Sequence, residues 1–178
     1  MKRQFETLIP AFRGLPDKQE STEAESKLRK RIASYKGTLQ FNANIMEKNI
    51  GRGADWIVLV LSIGIAVWII PDVHKKVRNN IEEWCRIYQE LHTFFNWVLE
   101  KQVALYSDEY LFLQAIETLS HQNITEHMEF KGVTRLPEDN PDNRGRESLL
   151  FSFGDTRMLV QVAISRSGEI LWKNTIKL

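Results

Sequence analysis

The chain has 178 residues, 43% of them apolar and 26% charged. That is the balance of a globular protein with a core of ordinary domain size, and it excludes a disordered chain. Lys plus Arg number 24 against 23 for Asp plus Glu, a net charge of +1, so there is no general attraction to nucleic acid or anionic lipid and a nucleic-acid partner is not expected. The one cysteine, Cys85, excludes an internal disulfide framework and suits a reducing compartment. The opening residues, MKRQFETLIPAFRG, lack the apolar core and cleavage site of a secretory signal. A cytoplasmic protein is therefore expected, with membrane association as the alternative that one stretch raises.

Residues 1–37 read as an N-terminal helical region. Phe5, Leu8 and Ile9 form a short apolar face that Pro10 ends, and Pro16, Asp17 and Lys18 read as a loop. Thr22 with Glu25 is a capping-box pattern. Leu28, Ile32 and Tyr35 then recur at helical spacing, and Gly37 stands where a C-terminal glycine cap belongs. Lys27, Arg29, Lys30 and Arg31 form a basic flank, read as a solvated face rather than a phosphate-binding patch.

A single α+β domain is expected over 38–178. In 38–46, Leu39, Phe41, Ala43 and Ile45 alternate with Gln40, Asn42 and Asn44, the pattern of a half-buried strand. The joint Ile50-Gly51-Arg52-Gly53 leads into 56–70, WIVLVLSIGIAVWII, which carries no charge. This stretch predicts an apolar helix over 55–70. It is either a core helix or a membrane segment, because about 15 residues fall between a buried helix and the roughly 20 that span a bilayer. Trp56 and Trp68 resemble interfacial anchors. Ser62, Gly64 and Ala66 would let a neighbouring helix approach closely.

A long amphipathic helix is expected over 72–105. Its seam is Ile81, Trp84, Tyr88, Leu91, Phe95, Val98, Gln102 and Leu105, spaced by threes and fours over about three and a half heptads. The seam is aromatic rather than Leu- and Val-based, which favours packing in a small bundle over a free coiled coil; self-association through it is the alternative. Ser107 caps the next helix, 107–121, with Asp108 and Glu109 in its first turn and Phe112, Leu113, Ile116 and Leu119 on its inner face.

The last third alternates with period two. Met128 and Phe130 open a strand that Pro137 ends, and 138–147 is a polar loop. Leu149, Phe151 and Phe153, then Met158, Val160, Val162 and Ile164, then Ile170, Trp172, Asn174 and Ile176 mark three more strands. The turns at Gly154-Asp155 and Ser165–Gly168 are short, which predicts an antiparallel β-meander over 126–177. A lone strand at 38–46 needs ladder partners. On this reading its only candidate partners lie after Met128, and a single membrane crossing at 56–70 would separate them. The expectation is therefore a buried apolar helix, with the meander and the strand at 38–46 in one sheet.

No chemical site assembles. Cys85 and His92 lie about 10 Å apart along one helix, too far for a thiolate–imidazole pair. His121 and His127, with Glu126 and Glu129, lack the spacing of a zinc motif, and no metal or cofactor is expected. Asp139, Asp142 and Asn143 do not complete a calcium loop, and the sequon at Asn123 is a pattern match only. The expected function is non-catalytic: an interaction or accessory subunit that presents its long helix or a sheet edge to a protein partner, with a homo-oligomer among the outcomes. The competing reading is a membrane-anchored or membrane-perturbing effector using 56–70. The candidate contacts are Trp56, Ser62, Gly64, Ala66, Trp68, Trp84, Tyr88, Leu91 and Phe95.

Overall fold

The structure, a computed structural model, describes residues 3–10, 18–37, 41–49, 55–63, 81–99, 104–121, 128–136 and 147–178. The elements run β1 (Arg3–Pro10), α1 (Lys18–Ser34), β2 (Phe41–Asn49), β3 (Asp55–Ile63), α2 (Ile81–Leu99), β4 (Leu105–Tyr106), α3 (Asp108–Ser120), β5 (Glu129–Leu136), β6 (Ser148–Gly154), β7 (Met158–Ser165) and β8 (Ile170–Lys177). The class is α+β, with a C-terminal antiparallel meander. The chain divides into two compact units, one of Met1–Val67 with Glu90–Leu105 and one of Trp68–Gln89 with Tyr106–Leu178. The boundary expected at residue 37 falls inside the first unit, because β1 and β2 share a sheet.

The first unit corrects two expectations. Asp55–Ile63 is a strand, not the start of an apolar helix. It is an inner strand of a four-stranded sheet, antiparallel to β1 with Phe5 opposite Leu61 and Ile9 opposite Ile57, and antiparallel to β2 with Ile45 opposite Leu59. Five of its nine residues, Ile57, Val58, Val60, Ile63 and Trp56, are β-branched or aromatic, types that favour a pleated ladder. An apolar run without a period of two reads equally as helix or strand, which is why the sequence pattern did not separate them. The strand predicted at 38–46 is present as β2, but it pairs with β3 rather than with the C-terminal meander. The sheet order is β2-β3-β1-β4.

Helix α1 begins at Lys18, ahead of the predicted cap at Thr22. Leu28, Ile32 and Tyr35 are half-buried, and Lys27, Arg29 and Lys30 are exposed. The Arg29 guanidinium donates to the Ile45 carbonyl at 3.4 Å. Tyr35 meets Phe94 edge-on at 5.0 Å and Trp97 at 5.3 Å, and Arg31 lies over the Trp97 ring at 4.9 Å, an attractive cation–π geometry.

In the second unit β5, β6, β7 and β8 form one antiparallel sheet in chain order. Phe153 stands opposite Phe130 and Val160, Phe151 opposite Val162, and Leu149 opposite Ile164. All of these except Phe130 are buried. Helix α3 packs on this face through Phe112, whose ring lies 5.1 Å from Phe130, 6.1 Å from Phe151, 6.1 Å from Phe153 and 5.8 Å from Trp84 of α2. The predicted cap holds: the Ser107 hydroxyl accepts from the Tyr110 amide at 3.4 Å. The long helix is shorter than predicted, since Ala104 is non-helical and Leu105 is in a strand. The calls at 38–40, 50–54, 64–80, 100–103, 122–127 and 137–146 lie outside the described residues.

Ile45 is buried and Asn44 exposed on the same strand. Ile45→Asp is expected to cost several kcal/mol, because it leaves a charge without water or a partner, whereas Asn44→Asp should stay within about 0.5 kcal/mol. Thermal melts of the two variants make the comparison, and equal tolerance would contradict the β2 pairing.

Candidate functional site

Six of the nine candidate contacts fall on described residues. Trp56 and Ser62 are in β3, the central strand, while Gly64, Ala66 and Trp68 lie outside the described residues. Trp84, Tyr88, Leu91 and Phe95 sit on α2 and are all buried, Leu91 and Phe95 completely. Ile87, Phe94, Val98 and Leu99 are buried with them. The seam is thus part of a broad apolar face used inside the chain. The outward face of α2 is polar: Glu82, Glu83, Arg86, Gln89, His92, Thr93 and Asn96 are exposed.

A tyrosine cluster joins α2 to α3 in the second unit. Tyr88 lies 5.4 Å from Tyr110, and Tyr106 stacks on Tyr110 at 4.3 Å. Burial pushes the Tyr88 phenol up to about 12; Glu117 and Tyr106 add to the rise, and a hydrogen bond from Tyr110 works against it. Tyr110 and Tyr106 are also raised by burial. These phenols stay protonated at neutral pH, and their rings pack against one another. Cys85 is half-buried, and its thiol is raised chiefly by burial, the opposite of what a nucleophilic cysteine needs.

Beside the tyrosines the turn after β7 is tied down by charge. Arg166 pairs with Asp108 and lies 3.6 Å from Glu147, and Arg135 reaches Asp108 at 3.2 Å and Glu147 at 3.8 Å. Two cations and two anions cancel, which suits a strut more than a ligand site. Gly168 adopts φ +83°, and its carbonyl accepts from the Gln114 amide at 2.7 Å. A side chain there would be strained and would press on Tyr106 at 3.2 Å. His121 is exposed and pairs with Glu117 at 3.4 Å, while His127 and Glu126 lie outside the described residues. Among the described residues no three His, Cys, Asp or Glu side chains come together as a metal site would require, and no helix is long and apolar enough to cross a membrane.

What remains open is the last strand. β8 is the edge of its sheet and is exposed along almost its whole length. Ile170, Leu171, Trp172 and Ile176 are 45%, 47%, 42% and 39% exposed. Trp172 stands opposite Ala163, and Ile176 opposite Leu159; in an antiparallel ladder opposite residues share a face. Leu150 is opposite Ala163 on the other side, so Leu150, Leu159, Trp172 and Ile176 lie on the sheet face away from Phe151 and Val162. This apolar edge was not among the predicted contacts. Its own segment carried no distinguishing signal, since β6 and β7 also contain three apolar residues in a row.

No family model matches the chain, and neither a curated protein nor a solved structure does.

In the unfolded chain a tyrosine titrates near about 10. Between that value and the folded value of about 12 for Tyr88, the unfolded chain holds fewer protons than the folded one, so stability falls as pH rises. The contribution is whole below the unfolded value and is lost as pH passes the folded one. A melting-temperature series across this window should fall more gently for Tyr88→Phe/Tyr110→Phe than for the wild-type chain; parallel curves would show that the phenols are not protected.

Proposed function

We propose that the chain is a non-catalytic interaction module that engages a protein partner through strand β8 and the adjoining outer face of its C-terminal sheet. The observation that carries this reading is the exposure of Trp172 and Ile176 beside Ile170 and Leu171 on an edge strand. Scattered exposed apolar residues are ordinary, but a contiguous group on an unpaired edge is a docking feature. An edge strand offers a row of backbone donors and acceptors, and side chains at alternate positions add selectivity. The outward face of α2 carries polar residues only, so of the two surfaces expected from sequence the sheet edge has the stronger support. The raised Cys85 thiol and the raised tyrosines give no support to a catalytic reading.

The test uses tagged full-length protein recovered from its own cells with its bound partners, a second copy carrying a different tag being among those scored. Trp172→Asp/Ile176→Asp should lose the bound partners while keeping the wild-type melt, since both positions are already partly in water. Arg86→Glu/His92→Glu, on the polar face of α2, should keep them. If the β8 variant retains every partner, the reading is overturned.

A further inference from the structure

The same edge has a specific geometry. Leu178 donates its amide to the Arg157 carbonyl at 2.8 Å, and these two residues continue the register in which Lys177 faces Met158. Hydrogen-bonded and non-bonded pairs alternate along an antiparallel ladder. Ile176, Asn174 and Trp172 therefore direct their amides and carbonyls to β7. Lys173, Thr175 and Lys177 direct theirs to the open edge. The irregularity in the β7–β8 ladder comes only before Trp172, so it leaves this alternation intact.

We infer that the partner of β8 is a second copy of this chain, with the two β8 strands antiparallel about a two-fold axis at Asn174. This rests on the reading of β8 as the interaction surface and adds the occupant. A two-fold contact puts the same patch on both sides, so the strand must be complementary to itself. The outward groups lie on odd-numbered residues, so odd must pair with odd. Three registers are centred in the middle of the strand. Centred on Lys173, the two copies of that lysine stand opposite each other. Centred on Thr175, Lys173 stands opposite Lys177. Like charges directly opposite destabilise a ladder. Centred on Asn174, Lys173 faces Thr175 and no lysine meets a lysine. Trp172 then faces Ile176, twice, at non-bonded positions where side chains come closest, and an aromatic beside a β-branched residue is a favourable cross-strand pair. The axis stands perpendicular to the sheet, so the two outer apolar faces join into one. Lys173 is on the opposite face, opposite Val162, and its ammonium donates to the Thr118 carbonyl of α3 at 3.3 Å, which holds that charge away from the Trp172–Ile176 contacts.

The experiment uses the full chain with Cys85→Ser and one added cysteine: Asn174→Cys, Lys173→Cys or Thr175→Cys. Sedimentation of the wild-type chain should show a dimer that Trp172→Asp/Ile176→Asp dissociates to monomer. On the axis, non-bonded Cα atoms are about 4.5 Å apart, inside the disulfide range of about 4.4–6.8 Å. Mild oxidation should therefore link Asn174→Cys to itself. Thr175→Cys should stay unlinked alone and link when mixed with Lys173→Cys. Self-linking of Thr175→Cys alone, which keeps both lysines, overturns the register. A dimer that links at none of the positions, or a wild-type chain that sediments as monomer, overturns the inference. If such a monomer still loses its other partners on Trp172→Asp/Ile176→Asp, β8 remains the interaction surface and only the second copy is excluded.

Discussion

Phe112 is the contact on which the second unit depends. It is a single ring on α3 that meets Trp84 of α2 and three phenylalanines from β5 and β6. One aromatic therefore joins two helices to two strands, with edge-on and offset geometries that add to simple burial. Around it α3 is buried from Tyr110 through Ile116 without interruption, a helix enclosed on every side rather than a surface helix with one apolar stripe. An enclosed helix leaves no apolar face for a partner, and α2 is polar where it meets water. Among the described residues of this unit, the exposed apolar surface is on the sheet. There the inner face is filled by Phe151, Phe153, Val160 and Val162, and only the outer face and the edge are left.

How much of this was legible in the sequence depends on which elements have a period. The meander was legible because β6 and β7 alternate between a buried face and a less apolar one, and Ser107 was legible as a cap because its hydroxyl does a local job that no distant contact can change. The stretch at 55–63 was not legible, for a physical reason. Its apolar run has no period of two, and such a run reads equally as helix or strand. The partner requirement for the strand at 38–46 was sound in itself, but it was applied to an incomplete set of partners. β1 escaped notice because Leu8 and Ile9 are adjacent and Pro10 closes the segment, so Arg3–Pro10 shows neither clean alternation nor helical spacing. Once β1 and β3 are strands, β2 has its partner next to it in the chain and does not need the meander.

The candidate contacts on α2 are buried, which the sequence did not reveal for a related reason. Large aromatics at heptad spacing mark a face that must be buried, and sequence does not say by what. On α2 the buried set includes Ile87, Phe94 and Leu99 as well as the seam, a face wider than the narrow stripe of a two-stranded coil. The chain itself covers it. Trp172, by contrast, sits in a strand whose pattern resembles β7, and what distinguishes it is position. β7 has a neighbour on each side and β8 has one. Edge status is a property of topology, so the exposure of Trp172 could not be read from its own segment.

The lysines of β8 then have two roles. Edge strands are commonly guarded by lysine against indiscriminate pairing, and Lys173 and Lys177 sit on the residues whose backbone groups face outward. A guard of this kind does not abolish pairing; it filters registers. Any partner strand that brings a cation opposite either lysine is disfavoured, and one that brings threonine or an apolar residue is not. Because the two lysines are four residues apart, a second copy of the same strand meets a like charge when the axis sits on either neighbour of Asn174, and avoids it when the axis sits on Asn174 itself. Selectivity arises here from the wrong registers being penalised more than from the right one being improved. The same two charges that keep a long apolar edge from associating at random leave one of the three central self-pairings open, and that pairing is the one that brings Trp172 against Ile176.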